Sequence, residues 1–320
     1  MTEARGARGL GARSRFRGAI QVGLPAIALT LMLAIIFWMQ PSAMSYFGFS
    51  LLFKLSIPLV IAALAQMLII MIGDIDLSNG AFVGLMTCVS AVYLQATPMI
   101  AVAIYLALIA AYAAFGFLIH IRRLPSIIVT LGMSFVWLGL AIVVLPSPGG
   151  VAPSWLSDFM NWRPRLLPLP IWIAIFAALI GHLTIMRSSF GPILRGAGAN
   201  PRAVERAGWS IAGIKVGVYA AAGALTCLAG VALTGLTTSG DPNVAPAYTL
   251  QGVGAVILGG GSFSGGIVSP IGAVIGALTL SLAGSLLSFL QVPPTWQIGA
   301  QGVILFLVLA GRILLSEKTK

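Results

Sequence analysis

The chain has 320 residues, 59% of them hydrophobic and only 8% charged, with a mean hydropathy of +1.03. That leaves too little polar surface to cover a water-soluble globule of this size, so most of the outer wall faces lipid. The net charge of +11 does not mark a nucleic-acid binder, because the basic residues sit between oily runs rather than on one polar face; they follow the positive-inside pattern of cytoplasmic loops.

Residues 1–18 form a basic tail carrying Arg5, Arg8, Arg13, Arg15 and Arg17. The apolar run from about 19 to 39 is longer than a signal-peptide core and can cross a hydrocarbon layer of ~30 Å, so it is read as a retained first helix. Further apolar runs lie at about 49–72, 78–96, 98–119, 125–146, 168–186, 212–236, 247–259, 268–290 and 296–312, which makes ten predicted crossings. The predicted organisation is a transmembrane domain over 19–313, with a polar loop at about 187–212, followed by a tail over 314–320. With the arginine-rich N-terminus inside, ten crossings return Arg312, Lys318 and Lys320 to the same side and leave Arg122, Arg123 and the 187–215 loop there. Both termini are therefore expected in the cytoplasm, with the chain in the inner (plasma) membrane. The long loop on the opposite side, 147–167, carries Trp155 and Trp162, residues suited to the membrane interface, and places Arg163 and Arg165 outside near Asp158. The predicted fold is an all-α polytopic membrane protein.

Two apolar regions are interrupted in a way that lipid does not tolerate. GDIDLSNGAFVGL (73–85) puts Asp74 and Asp76 beside oily helices, and AVILGGGSFSGGIVSPIGAVIGAL (255–278) contains three consecutive glycines and Pro270. Irregular backbone at membrane depth survives only when packed in protein or facing water. Asp74, Asp76, Ser78, Asn79, Asp241, Gly259, Gly260, Gly261 and Ser262 are therefore the candidates for a translocation pathway or gate, with Ser239 and Ser264 as further hydroxyl donors. Asp76 also has a structural reading, as a cap on the helix that follows. The Gly-Asp pairs at 73–74 and 240–241 fall on opposite sides of the membrane, which points to inverted repeats of spans 2–5 and 7–10.

The stretch 187–215, RSSFGPILRGAGANPRAVERAGWSIAGIK, is the polar exception. Asn200 can cap a helix, Pro201 suits its first position and Gly208 can end it, so a helix of under two turns is predicted between two spans. Arg202, Glu205 and Arg206 would be displayed on it. A short, capped, charged helix with nothing to bury reads as a docking knob for a separate cytoplasmic partner.

No G-x-x-x-x-G-K-[ST] string occurs, and GGGSFSGG lacks the lysine a phosphate cradle requires, so no ATPase site is expected in this chain. No catalytic or metal constellation is legible either. His120 and His182 read as packing or interfacial residues, and Cys88 and Cys227 as buried free thiols.

Three segments in order resemble one known family. GDIDLSNGAFVGL is similar to the G-G-I-D-L-S-x-G signature of ribose-type sugar permeases, the membrane subunits of ATP-binding-cassette importers. GPILRGAGANPRAVERAGWSIAGIKVGVYAAAGALTCLAG and SGDPNVAPAYTLQGVGAVILGGGSFSGG resemble their cytoplasmic segment and their long C-terminal block. The resemblance implies a permease subunit for a monosaccharide or polyol-like solute, working with a second permease copy, a cytoplasmic ATPase that hydrolyses the ATP, and a periplasmic or extracellular sugar-binding protein. By the same analogy Asn200, Pro201, Arg202, Glu205, Arg206 and Gly208 form the ATPase-coupling helix. The departures are Asp74 in place of a glycine, Arg202 where the family is often acidic, Trp209 for an aliphatic residue and Gln251 for a glutamate. The alternative is a proton-coupled secondary transporter using Asp74 or Asp76.

Overall fold

A computed structural model describes Gly23, residues 25–293 and, beyond them, 296, 297, 299, 300, 302, 303 and 306. Both predicted tails and most of the tenth predicted span lie outside the described residues. Within them the chain is helical: α1 (Pro25–Met39), a 3-10 turn at Pro41–Met44, α2 (Tyr46–Lys54), α3 (Ser56–Met71), α4 (Asn79–Tyr93), α5 (Pro98–Arg122), α6 (Ser126–Val144), α7 (Ser154–Met160), α8 (Leu169–His182), α9 (Gly191–Ala199), α10 (Pro201–Arg206), α11 (Ile211–Thr237), α12 (Ala247–Leu258) and α13 (Pro270–Phe289). A π-helical turn, Leu183–Arg187, extends α8. The structure is that of a polytopic membrane protein, with α5, α6 and α11 among the helices long and apolar enough to cross a bilayer.

The hub is α3. Every one of its residues except Leu68 is buried, and α11, α12, α13 and α8 pack around it. Its sequence, SIPLVIAALAQMLIIM, is apolar on all sides, as a helix surrounded by other helices must be. Gln66 is its one long polar side chain, and it has a specific task described below. By contrast α5 and α6 leave most of their surface uncovered, including Leu106, Phe117, Phe135 and Val143. These faces meet lipid.

Neither the 78–96 nor the 247–259 run is a full spanning helix. Each forms a short helix close to its predicted bounds, α4 of 15 residues and α12 of 12, and each helix is preceded by a non-helical stretch. Stretch 72–78 rises from the end of the molecule that carries α9 and α10, and α4 starts where the Asn79 side-chain nitrogen donates to the Ala62 carbonyl, 3.1 Å away, part-way along α3. Stretch 238–246 enters from the opposite end and runs antiparallel along α4: Gly240 lies beside Ala91, Asp241 beside Thr87, and the carbonyls of Pro242 and Ala245 press on Gly84 and Gly80. There α12 begins, and the Gly80 N–H donates to Thr249 Oγ1 at 2.9 Å. The N-termini of α4 and α12 thus meet in the interior and the two helices leave in opposite directions. Each of the two helices is introduced by a Gly-Asp dipeptide.

At the end distal to α10 the loops are strapped together. Gly149 and Gly240 form an antiparallel bridge, Val151 N donates to Ala91 O and Ala152 N to Thr238 O, and Lys54 Nζ reaches Asn161 Oδ1 at 2.7 Å. Arg163 lies over the Phe47 ring, 5.3 Å from its centroid.

Candidate functional site

Residues 72–78 combine two carboxylates with non-helical backbone in the protein interior, so each polar group there needs a partner. The structure supplies one for every N–H from 73 to 78. Gly73 N donates to Ile70 O and Asp74 N to Ile69 O, closing the end of α3. Ile75 N donates to Ser126 Oγ at 3.1 Å, and Leu77 N to Thr130 Oγ1 at 3.0 Å. With its side-chain nitrogen turned toward the Asp76 carbonyl, Gln66 donates to that oxygen at 3.1 Å and accepts from Asp76 N at 3.2 Å. Ser78 N donates to Asp76 Oδ1 at 2.7 Å. Four elements, α3, α5, α6 and α11, converge on this break.

The two carboxylates play different parts. Asp76, 1% exposed, accepts at Oδ1 from the backbone and hydroxyl of Ser78, both at 2.7 Å, and at Oδ2 from the Tyr112 hydroxyl at 2.8 Å. Tyr112 stacks against Trp137 and tilts on Phe82, which locks its ring. Asp76 therefore braces the turn into α4 from two residues before its N-cap, Ser78, and ties it to α5. Asp74 accepts from Lys215 Nζ at 2.7 Å and from the Tyr219 hydroxyl at 3.3 Å, which fastens the start of the break to α11. Asn79 is buried, and its side-chain oxygen has no hydrogen-bond partner among the described residues.

The other nominated pathway residues lie elsewhere. Asp241 is part-exposed at the far end, where its carboxylate accepts from Asn243 N at 2.8 Å. Gly259, Gly260 and Gly261 turn the chain out of α12: Gly260 has φ +99°, and a Cβ on Gly259 would overlap the Gly272 backbone of α13. Ser262 and Ser264 share a hydroxyl contact of 2.7 Å on the surface of this loop. The nine candidates thus fall into three groups, of which Asp74, Asp76, Ser78 and Asn79 are together.

The glycine-rich loop nevertheless reaches the break. Gly265 and Gly266, at φ +77° and +76°, pack on Gly73 and Ala199, and Gly266 N donates to Met71 O at 2.8 Å. Gly198 of α9 sits in the same junction, so close that a Cβ would strike Met71 O and Gly266 N. Bulkless residues are needed here because three backbones meet with no room between them.

Beside this junction stands α10. Asn200 caps it by accepting from Ala203 N at 3.2 Å, Pro201 takes its first turn, and Gly208 leaves it at φ +86°. Arg202, Glu205 and Arg206 are exposed, whereas Val204 is buried against Ala197 and Ile211. The helix therefore does bury one residue, which seats it. Helix α9 was not expected from sequence: its glycines and Pro192 read as loop, and tertiary packing overrides that weak local preference.

Comparison with known proteins finds relatives in sequence. The ribose import permease protein of Escherichia coli (strain K12) is 30% identical over 290 residues, covering 88% of this chain and 90% of that protein. The ribose import permease protein of Bacillus subtilis (strain 168) is 27% identical over 313 residues, 96% of each, and an L-arabinose ABC transporter permease protein of Azospirillum brasilense is 28% identical over 249 residues, 77% of this chain and 74% of that one. No solved structure matches the chain. A family profile described as "Branched-chain amino acid transport system / permease component" matches residues 48–309, and the chain belongs to that family.

Proposed function

We propose that this chain is the membrane-spanning permease subunit of an ATP-driven importer for a monosaccharide or a related polyol-like solute. Two copies form the membrane core, a separate cytoplasmic ATPase docks on α10, and an external binding protein delivers the solute. The chain itself contributes no ATPase site; the ATP is hydrolysed by the partner. The relatives named as ribose and arabinose permeases support the solute class.

The observation that carries this reading is the position of α10. It is exposed, charged and held at both ends, and it adjoins the junction where α9, the glycine loop and the end of α3 meet. A partner that pushes on α10 therefore has a direct route to the interrupted spans, the kind of rigid-body transmission that alternating access requires. The end bearing α10 also carries Arg122, Arg123, Arg187, Arg195, Arg202 and Arg206, which supports placing it, with both termini, in the cytoplasm.

Copurification with its ATPase and binding protein, followed by uptake of labelled ribose, arabinose or xylose into proteoliposomes, tests the assignment. ATP-dependent uptake is the expected result. Uptake driven by a proton gradient without ATP would sink it.

A further inference from the structure

We propose that the Lys215–Asp74 ion pair is the tensile link of this transporter, the contact through which a displacement of α10 pulls the break at 72–78 back as well as pushing it forward. The inference rests on the importer reading for its functional consequence, but its structural part stands alone.

Two elements flank α10 in the chain, and both grip the same few residues of the break. On one side Gly198 of α9 meets Met71 and Gly73 through packed backbone. On the other, Lys215 in the second turn of α11 meets Asp74 at 2.7 Å, with Tyr219, one turn further on, adding a 3.3 Å hydrogen bond to the same carboxylate oxygen. These contacts differ in what they transmit. Backbone atoms in van der Waals contact resist compression steeply but hold only weakly under tension, since each atom pair contributes little attraction. A charged pair resists separation, more so here because its side chains are only 18% and 11% exposed and pulling them apart leaves two poorly solvated charges.

The remaining anchors of the break cannot replace this link. Ser126 and Thr130 hold Ile75 and Leu77 from α6, and Tyr112 holds Asp76 from α5. Those helices join no part of α9 or α10 in sequence. Gln66 belongs to α3 itself. Lys215 and Tyr219 are the side chains that hydrogen-bond the break from the helix following α10, and Lys215 stands nine residues after Arg206, the last residue of α10. Loss of the pair should thus leave the push through Gly198 intact and remove the return. ATP would still be hydrolysed while the break failed to reset.

The test is Asp74→Asn with Lys215→Met, compared with the reversed pair Asp74→Lys with Lys215→Asp. In proteoliposomes holding the complete complex, and using whichever of ribose, arabinose and xylose the wild type takes up, the neutral variant should keep its ATP hydrolysis but lose about fivefold or more in sugar moved per ATP. The reversed pair should recover to within about twofold of wild type. An unchanged ratio in the neutral variant, or a reversed pair as uncoupled as the neutral one, overturns the proposal. If the neutral variant does not reach the membrane, the reversed pair decides. Failure of the wild type to show ATP-dependent uptake strikes the importer assignment instead. In that case backbone hydrogen exchange on the permease alone still tests the link: amides 73–78 should exchange roughly tenfold faster in the neutral variant, and unchanged exchange overturns it.

Discussion

The backbone nitrogen of Gly266 donates to the carbonyl of Met71 at 2.8 Å, and Gly198 lies so close to both that it can carry no side chain. We therefore expect Gly198→Ala to force the glycine loop, α9 and the end of α3 apart, at about 1–3 kcal/mol for an overpacked site. Sugar uptake at equal membrane level should fall sharply. Gly217→Ala on α11, with nothing within 4 Å of the added carbon, serves as control. Equal uptake by the two variants would show that the junction tolerates separation.

Asp76→Ala removes the acceptor of three hydrogen bonds, strands Ser78 N in the interior and leaves the Ser78 and Tyr112 hydroxyls, 3.0 Å apart, only each other. The expected loss is about 2–4 kcal/mol, read as a lower unfolding temperature in detergent. Asp76→Asn should cost less, because an amide oxygen still accepts from Ser78 and the Tyr112 hydroxyl can turn to accept from the amide nitrogen. Unfolding that is equally early in both would point to the charge rather than the hydrogen bonds.

Reversing two exposed charges of α10, Glu205→Lys with Arg206→Glu, should leave folding and membrane insertion unchanged within about 0.5 kcal/mol while weakening ATPase docking. Copurified ATPase per permease is the measure. Normal substrate-stimulated hydrolysis in the reconstituted variant would count against α10 as the coupling element. Asn200→Ala should weaken the same docking by a different route, since a lost cap costs about 1 kcal/mol of helix stability.

Gly260 has φ +99° and sits buried where α12 ends. Gly260→Val places a β-branched side chain in a conformation that only glycine adopts readily. We expect loss of uptake or assembly, scored by size-exclusion chromatography and transport. Wild-type behaviour would mean that this turn can be rebuilt with φ below zero.

Local signals in the sequence were enough for the oily runs, the two interruptions and the short helix at Asn200, Pro201 and Gly208. Each is written into neighbouring residues: hydropathy over a span, glycine and aspartate inside it, a cap followed by proline. What was not legible is how the break is held. Gln66, Tyr112, Ser126, Thr130 and Lys215 are spread over four helices, and a serine or tyrosine in an apolar helix looks the same whether it faces lipid, a neighbour or a distant carboxylate. Lys215 was visible only as part of a basic stretch, because its partner lies 141 positions earlier. The short lengths of α4 and α12, by contrast, follow the apolar runs at 78–96 and 247–259, and the Gly-Asp pairs before them mark the irregular stretches that lead in.

The meeting of the α4 and α12 N-termini has an electrostatic consequence. A helix N-terminus carries a partial charge of roughly +0.5, so two of them converging near the middle of the membrane amount to about one positive charge. Asp76, just before α4, has no cation among its hydrogen-bond partners, and a carboxylate there would be of matching size and opposite sign. An ionised Asp76 would bring this meeting point close to electroneutral with no lysine or arginine bonded to its carboxylate. Such a centre would be disturbed as much by removing the carboxylate as by unwinding either helix.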